Sequence, residues 1–301
     1  MSASPDVKPQ LSPEVMGQIR RIQIRAKRLV EEAFLGQYAS VFRGQGMEFQ
    51  EVRQYVPGDD VRNIDWNVTA RTGMPHVKIM HEERELTVML VLDLSGSGWF
   101  GSVSRFKNEV AAEICGALAF TAIRNNDKVG LLIFTDEVEL YLRPDKGTKH
   151  VLRVIREALC FRPSRKGTRI ETALRALNRL LPRRAVVFLV SDFMDSDYEQ
   201  ILRVTAKRHD LIAITLTDPR EMSLPDVGPV WLEDAETGKQ VLVNTSSARV
   251  RRQYEQAALE RMEKRDSLLR KAGVDLVHVY TDRPWVSEMY QFFKLRERRL
   301  R

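Results

Sequence analysis

Short apolar runs without a polar break recur along this chain, and they constrain its fold more than any other feature. Three of them read VMLVL at residues 88–92, VGLLIF at 129–134 and AVVFLV at 185–190. A strand that is covered by helices on both faces has this pattern. Stretches with the apolar spacing of amphipathic helices separate the runs. We therefore predict an α/β fold, a three-layer doubly wound sandwich built around a mostly parallel sheet.

The same periodicities predict the other elements of the main domain. Further strands are expected at residues 211–216 and 276–280, and helices at 106–123, 149–159, 170–180, 198–208, 248–271 and through Phe292 and Phe293. The run 138–142 follows the strand 129–134 after a gap too short for a crossover helix, so it should pair antiparallel at an edge. Residues 218–246 interrupt the alternation. Their two extended pieces and intervening turn residues predict a small hairpin, in which we find no catalytic grouping.

The first third of the chain is organised differently. Residues 1–10 are expected to be disordered, and an amphipathic helix is expected from Ser12 and Pro13 to about Tyr38. This helix needs a partner surface. We therefore expect residues 11–85, the helix and the segment after it, to pack on the main domain at residues 86–301.

Residues 43–71 combine turn-forming glycines with a high density of charged side chains around Trp66. Two interpretations stay open for this ionic segment. Opposite charges around a tryptophan could form an active site. Alternatively, arginines and carboxylates form a lattice that fixes an irregular segment onto the main domain, and we favour this second interpretation.

Composition excludes several classes of protein. No apolar run approaches the roughly 18 residues of a membrane helix, and the start MSASPDVKPQ lacks a signal-peptide pattern, so the expected location is the cytoplasm. The two cysteines, Cys115 and Cys160, lie among apolar residues of predicted helices. We expect them to be buried thiols rather than a disulfide, and their spacing does not suit a metal site.

The formal charge of +7 is partly carried by the two ends of the chain, including KLRERRLR at residues 294–301. Such basic ends could bind nucleic acid or an acidic partner. We favour solvated helix faces, because no aromatic-interleaved strand or helix-turn-helix pattern accompanies them. Binding of nucleic acid is therefore kept only as an alternative.

Oxygen-bearing side chains follow the first apolar strand directly. Asp93, Ser95 and Ser97 occupy alternate positions of a glycine-punctuated loop, so their oxygens can converge on one point when the chain curls around it. Oxygen ligands with few carboxylates suit a hard cation such as Mg²⁺. This loop is the first indication of a metal site.

Two further residues can join this loop. Asp192 follows the strand 185–190, and Thr168 lies in a loop that opens a helix. Ligands of open parallel sheets bind beyond the carboxyl ends of the strands, where the winding direction reverses. If the two strands are neighbours there, Asp93, Ser95, Ser97, Thr168 and Asp192 supply two carboxylates and three hydroxyls to Mg²⁺, or to Mn²⁺ or Ca²⁺. The alternative is that the carboxylates cap helices and the hydroxyls satisfy turns, without a metal.

At this point the chain resembles two known groups of proteins. The pattern Asp-x-Ser-x-Ser, a later Thr and a later Asp resembles the metal-ion-dependent adhesion site (MIDAS) of von Willebrand factor A (vWA) domains. Other motifs resemble the signature of the bacterial family called domain of unknown function 58. These motifs are Gly46-x-Glu48-Phe49, Arg53-x-Tyr55, Gly58-Asp59-Asp60-x-Arg62-x-Ile64-Asp65-Trp66, Ala70-Arg71, Ser191-Asp192-Phe193, Asp218-Pro219-Arg220-Glu221 and Asp234-Ala235-Glu236-Thr237-Gly238. The resemblance covers about residues 35–295.

The resemblance implies a vWA-like sheet in the order 3-2-1-4-5-6, with the strands that end at Asp93 and Asp192 side by side. It implies that the hydroxyls of Ser95, Ser97 and Thr168 contact the metal, that the two carboxylates balance its charge, and that an Asp or Glu of a partner completes the shell. Members of the family are often encoded beside MoxR-type AAA+ ATPases and are thought to act with them as adaptor or chaperone-like subunits. Such an ATPase is the implied partner.

The sequence departs from the MIDAS pattern after the second serine. Many such motifs continue with Met, whereas this chain continues Gly98-Trp99-Phe100. The two aromatic side chains could form an exposed contact patch or pack under the loop. Both interpretations stay open.

The sequence does not match the motifs of several common enzyme classes. A phosphatase that forms an aspartyl-phosphate needs a carboxylate where Ser95 stands, and no Gly-x-Ser-x-Gly elbow is present. Lys166-Gly167-Thr168 inverts the glycine–lysine order of a P-loop. We therefore expect a metal-dependent protein–protein interaction module rather than an enzyme. A metal-dependent hydrolase of phosphate esters that uses the same carboxylates is the alternative.

Overall fold

A computed structural model describes residues 17, 20–22, 24, 35–42, 46–83, 85–103 and 105–300. The predicted disorder of residues 1–10 and most of the predicted helix at 12–38 lie outside the described residues. The chain divides into two compact units, one formed by Met1–Val41 with Thr87–Arg301 and the other by Phe42–Leu86. The expected packing of residues 11–85 on the main domain stays a prediction.

The elements follow in chain order. The strands are β1 (Gly46–Gln54), β2 (His76–Glu83), β3 (Thr87–Asp93), β4 (Lys128–Phe134), β5 (Val138–Asp145), β6 (Val186–Ser191), β7 (Asp210–Thr217), β8 (Pro229–Glu233), β9 (Gln240–Asn244) and β10 (Asp275–Tyr280). The α-helices are α1 (Leu35–Val41), α2 (Trp66–Thr72), α3 (Lys107–Arg124), α4 (Thr148–Cys160), α5 (Ile170–Leu180), α6 (Glu199–Arg208), α7 (Pro219–Met222), α8 (Ala248–Lys271) and α9 (Val286–Leu300).

The larger unit is built on a six-stranded sheet in the order β10-β7-β6-β3-β4-β5. Its neighbouring strands pair in parallel except β4 and β5, which pair antiparallel. The predicted α/β class with a mostly parallel sheet is confirmed, as is the antiparallel edge strand. The apolar runs of β3, β4 and β6 are buried along almost their whole length, as strands covered on both faces must be.

Helix α3 is buried around most of its circumference rather than on one stripe. Its small residues allow close neighbours on several sides. A Cβ atom at Gly116 would lie 3.1 Å from Cγ2 of Ile22 and 3.3 Å from Cγ1 of Ile155 in α4. Glycine at this position therefore lets the helix pack against both neighbours.

Helix α1 is attached to the same unit. Tyr38 is 1% exposed and donates a hydrogen bond from its hydroxyl to Oδ2 of Asp127 at 3.0 Å. Its ring meets that of Phe293 edge-on, with centroids 6.4 Å apart. This ring contact joins α1 to α9, the last helix of the chain.

The smaller unit is an antiparallel pair, β1 and β2, with helix α2 in the connection. Its charged side chains act locally. Arg53 and Asp59 form a two-pronged ion pair at 2.7 and 2.6 Å, and Asp65 caps α2 by accepting from two backbone amides. Trp66 is 70% exposed, so the charged side chains do not enclose it. The active-site interpretation of this segment stays a prediction. Asp60 and Asp65 also form ion pairs, with Arg62 at 3.2 Å and Lys78 at 3.6 Å, in addition to capping helices. These pairs agree in part with the lattice interpretation.

Strands β8 and β9 form the predicted hairpin, with Trp231 opposite Leu242. Its turn is closed by Asp234, whose carboxylate accepts hydrogen bonds from the backbone amides of Glu236 and Thr237 at 2.9 and 3.1 Å. Gly238 has a φ of 69°, which favours glycine.

Both cysteines are free. Cys115 is fully buried, and burial raises the pKa of its thiol to about 12. Cys160 is partly exposed, so the expectation of two buried thiols holds only for Cys115. Among the described helices, none is both long and apolar enough to cross a lipid bilayer.

Candidate metal centre

Strands β3 and β6 are parallel neighbours, so their carboxyl ends lie at the same edge of the sheet. Leu92 is opposite Val190 in this pairing. The next residues along each strand are Asp93 and Ser191, and Ser191 donates a hydrogen bond from its hydroxyl to Oδ2 of Asp93 at 2.6 Å. The sheet therefore fixes Asp93 from the side of β6.

The loop after β3 turns back over Asp93. The backbone amide of Ser95 donates to Oδ1 of Asp93 at 2.9 Å. Residues Gly96–Trp99 form one turn of 3-10 helix, which brings Oγ of Ser97 to 3.1 Å from Oγ of Ser95. Asp93 is 8% exposed and Ser95 is 1% exposed. Three of the predicted residues are thus gathered at one buried point.

Asp192 joins this group from the loop after β6. Its Oδ1 accepts from the backbone amide of Met194 at 3.1 Å, and its carboxylate is also hydrogen-bonded to Ser97. Phe193, the residue between, has a φ of 60°, which turns the chain sharply after the strand. A cavity of about 10 Å³ is lined by Asp93, Ser97 and Asp192 among others.

Thr168 reaches the same edge from the loop before α5. The backbone amide of Gly96 donates to the carbonyl of Lys166 at 2.8 Å, which ties this loop to the one after β3. The hydroxyl of Thr168 donates to Oε1 of Glu236 at 2.5 Å. Asp93, Ser95, Ser97 and Asp192 thus form one hydrogen-bonded set, and Thr168 is joined to it through the backbone of its loop.

A buried lysine lies under this set. Lys107, the first residue of α3, is 2% exposed and places Nζ 2.8 Å from Oδ2 of Asp192 and 2.5 Å from Oε1 of Glu221. Burial of the Lys107 ammonium lowers its pKa, but the two carboxylates outweigh burial and raise it. Lys107 therefore carries a permanent positive charge in the interior.

The two aspartates have opposite pKa shifts. Burial and the charge of Asp192 raise the pKa of Asp93 to about 6, although hydrogen bonds from Ser191 and Ser95 oppose this. Burial also acts to raise the pKa of Asp192, but the Lys107 ammonium and its hydrogen bond outweigh burial and lower it. Asp192 thus has a buried ammonium group beside it, whereas the negative charge of Asp93 is opposed by that of Asp192.

The donor set fits a hard divalent cation. It consists of two carboxylates and three hydroxyls, which are oxygen ligands of the kind that Mg²⁺ accepts together with water. Glu221 and Glu236 add carboxyl groups next to the set, whereas Lys107 adds a single positive charge. Within the part of the chain that the structure describes, no group of three or more His, Cys, Asp or Glu side chains could hold a metal ion. A cation here would therefore depend on hydroxyl and water oxygens as well as carboxylates.

The site residues predicted from the sequence do not include Lys107, Glu221 or Glu236. A signal existed for Lys107, because it precedes the buried Val110 and Ile114 by three and seven residues and so lies on their side of α3. Glu221 and Glu236 stand in two of the family motifs, and Glu236 lies in the hairpin in which no catalytic grouping was found. Only the tertiary fold brings its carboxylate to Thr168, 68 residues earlier in the chain.

Two local contacts lie beside the site. Oδ2 of Asp195 accepts a hydrogen bond from the backbone amide of Ile170 at the start of α5, at 2.7 Å. Phe100 is 40% exposed, whereas Trp99 is partly buried with the guanidinium of Arg162 over its ring at 4.2 Å. The two aromatic residues therefore do not form a single exposed patch.

A larger cleft adjoins the site on the far side of Asp192. It has a volume of about 660 Å³ and is lined by the loop after β6 and by one side of α8, with both apolar and charged side chains. Tyr198, Met222 and Met262 contribute apolar surface, and Arg261 and Arg265 contribute positive charge.

Comparisons with known proteins agree with the motifs that resemble domain of unknown function 58. Residues 51–264 match the model of a family described as "Protein of unknown function DUF58". The chain is 32% identical over 289 residues to the "Uncharacterized protein Rv1480" of Mycobacterium tuberculosis, which covers 95% of this chain and 91% of that protein. It is 35% identical over 130 residues to the "Uncharacterized protein MAV169" of Mycobacterium avium, covering 43% of this chain and 76% of that protein.

Among solved structures, the conserved hypothetical protein BatB from Bacteroides thetaiotaomicron is similar with a TM-score of 0.47 and 16% identity, covering 71% of this chain and 99% of that one. An aerotolerance-related membrane protein from Bacteroides fragilis has a TM-score of 0.46 and the same identity and coverage. Likeness at this level carries no argument about function.

Proposed function

The chain belongs to the family described as "Protein of unknown function DUF58", and from that premise we propose that it is a non-enzymatic, metal-dependent protein–protein interaction module. In this proposal its larger unit is a vWA-like domain, and Asp93, Ser95, Ser97, Thr168 and Asp192 form a MIDAS that holds Mg²⁺, or Mn²⁺ or Ca²⁺ in its place. An acidic residue of a partner completes the metal's coordination.

One observation carries this proposal. Asp93 and Asp192 leave adjacent parallel strands at the same edge, and both are hydrogen-bonded to the short loop after β3. Asp93 accepts from the backbone amide of Ser95, and Asp192 is bonded to the side chain of Ser97. Carboxylates that only cap helices can lie far apart. Carboxylates that bind the same cation have to lie close together. The strand order β10-β7-β6-β3-β4-β5 supports the vWA-like identity, because it is the order 3-2-1-4-5-6 for the strands of this sheet.

Each residue has a distinct part in the proposed site. Ser95, Ser97 and Thr168 offer neutral oxygens. Asp93 supplies negative charge to the cation, and Asp192 does so from a position that the Lys107 ammonium holds fixed. A divalent ion held mainly by neutral oxygens keeps strong attraction for one more carboxylate. The bound ion would thus supply the electrostatic attraction for an acidic side chain of another protein.

The proposed partner is a MoxR-type AAA+ ATPase, for which the chain would act as an adaptor or chaperone-like subunit. This part rests on the family resemblance. The cleft beside Asp192 is compatible with it, because a space of about 660 Å³ can receive several side chains that flank the docking residue.

The test is an immobilised-partner binding experiment. A MoxR-type ATPase from the source organism is fixed to a sensor surface, and the full chain is applied in Mg²⁺ and then in EDTA. We expect binding in Mg²⁺ that EDTA abolishes, and loss of the Mg²⁺-dependent part in Asp93→Asn. Asp197→Asn, an exposed position in the loop after β6, serves as the matched control and should bind as the wild type does. Binding that is equal with and without Mg²⁺ would contradict the metal-dependent mode.

A further inference from the structure

The loop that joins β8 to β9 lies directly against the proposed metal site. A Cβ atom at Gly96, between the two serines of the site, would lie 2.9 Å from the carbonyl carbon of Ala235 and closer still to its oxygen. Real side chains do not approach a backbone that closely, so the glycine is required for this contact. The hairpin loop and the serine loop therefore touch backbone to backbone.

Glu236, the next residue, is directed inward. It is partly buried, whereas its neighbours Ala235 and Thr237 are exposed. Its Oε1 accepts the hydrogen bond from Thr168, and it lies near enough to Asp192 for the two charges to repel each other. A glutamate in a turn could extend into solvent instead. Placing its negative charge near two aspartates raises the electrostatic energy.

A cation would remove this repulsion. Glu236 contacts Thr168, which is one of the proposed hydroxyl ligands, and is within electrostatic range of Asp192, one of the proposed carboxylates. In the proposed function a partner's carboxylate has to reach the same cation, so Glu236 and that carboxylate would compete for it.

We propose that Glu236 exchanges its hydrogen bond with Thr168 for the proposed metal and becomes the chain's own carboxylate ligand, so that the β8–β9 hairpin occupies the docking position until a partner's acidic residue displaces it. This inference rests on the proposed function. In this role the hairpin competes with a partner for the metal. Only a partner whose carboxylate and flanking contacts bind more strongly than Glu236 does would displace it.

The alternative is that Glu236 only holds the hairpin in place through Thr168. The two roles differ in what happens at the metal. If Glu236 is a ligand, its loss weakens metal binding and leaves a coordination position that water fills. If it only holds the hairpin in place, neither the affinity nor the number of bound waters changes.

The experiment titrates Mn²⁺ into the full chain by calorimetry and measures water-proton relaxation of the bound Mn²⁺. Wild type, Glu236→Gln and Glu233→Gln are compared. Glu233 is the matched control, because it is an exposed glutamate of the same hairpin, beside the loop, and it accepts a hydrogen bond from Gln240. We expect Glu236→Gln to bind Mn²⁺ at least about tenfold more weakly and to show higher relaxivity of the bound ion, while Glu233→Gln matches the wild type.

The other outcomes separate the two proposals. If the wild type binds Mn²⁺ and Glu236→Gln binds it equally well or more tightly with unchanged relaxivity, the role of Glu236 is overturned and the metal site stands. If the wild type binds no Mn²⁺, both are overturned. Circular dichroism of each variant verifies that the fold is kept.

Discussion

Lys107 and Asp192 form an ion pair of 2.8 Å in the interior, with side chains that are 2% and 5% exposed. The same ammonium also contacts Glu221. This lysine joins the start of α3 to the loop after β6 and to α7, so it holds three segments around the candidate metal centre. Its charge sets the electrostatic balance of the whole site.

Replacing this lysine should destabilise the fold. Lys107→Met keeps most of the side-chain volume but leaves the buried Asp192 and the partly buried Glu221 without their counter-charge, and breaking a buried pair typically costs about 3–5 kcal/mol. Urea unfolding at pH 7 measures the loss. Lys149→Met, at an exposed position of α4, should change the free energy of unfolding by less than about 0.5 kcal/mol. Equal stability of Lys107→Met and wild type would show that the buried pair makes no net contribution.

Substitution at Gly96 should release the hairpin. Gly96→Ala places a methyl group against the carbonyl of Ala235, so the loop between β8 and β9 has to move away. Gly98→Ala is the matched control in the same loop, because its Cβ would meet only the Asp93 carbonyl oxygen, at 3.9 Å. We expect faster hydrogen exchange across residues 233–240 in Gly96→Ala and unchanged exchange in Gly98→Ala. Identical exchange in both variants would mean that the contact does not hold the hairpin.

The pH dependence of stability should contain a contribution from His209. This side chain is 1% exposed, and its burial, together with the charges of Arg208 and Arg184, lowers its pKa from 6.5 to about 4. Because the unfolded chain takes up the proton at higher pH than the folded chain does, stability is lost as the pH falls from 6.5 towards 4. The loss is at most about 1.4 kcal/mol per pH unit.

His209→Asn isolates this contribution. Asparagine cannot titrate, and its side-chain oxygen can still accept the hydrogen bond that the Ala185 amide donates to Nδ1 of His209. The difference in free energy of unfolding between wild type and His209→Asn should therefore change between pH 6.5 and 4 and stay constant above pH 7.5. A difference that is the same at every pH would contradict the lowered pKa.

Most of the fold of the larger unit could be predicted because its signals are local. Uninterrupted apolar runs give the buried strands, and residues 170–180 and 248–271 were predicted as helices with the bounds that α5 and α8 have. The short gap between β4 and β5 gave the antiparallel edge. Each of these inferences uses only the spacing of neighbouring residues.

The features that could not be predicted depend on contacts between residues that are far apart in the sequence. Asp195 caps a helix that begins 25 residues before it, and Thr168 contacts a carboxylate 68 residues after it. Lys107 and Glu221 meet across 114 residues. The ionic segment has a related limit: charge density predicts ion pairs such as Arg53–Asp59, but it does not predict that a carboxylate such as Asp65 also caps a helix.

Counting bound Mn²⁺ tests the central claim most directly. The electron paramagnetic resonance signal of free Mn²⁺ is followed as the full chain is added, in wild type, Asp93→Asn and the control Asp197→Asn. The account predicts that wild type and Asp197→Asn each bind one Mn²⁺ per chain and that Mg²⁺ displaces it. It also predicts that Asp93→Asn, with its fold intact, does not bind. Undiminished binding by Asp93→Asn, or none by the wild type, would contradict a metal site at the ends of β3 and β6.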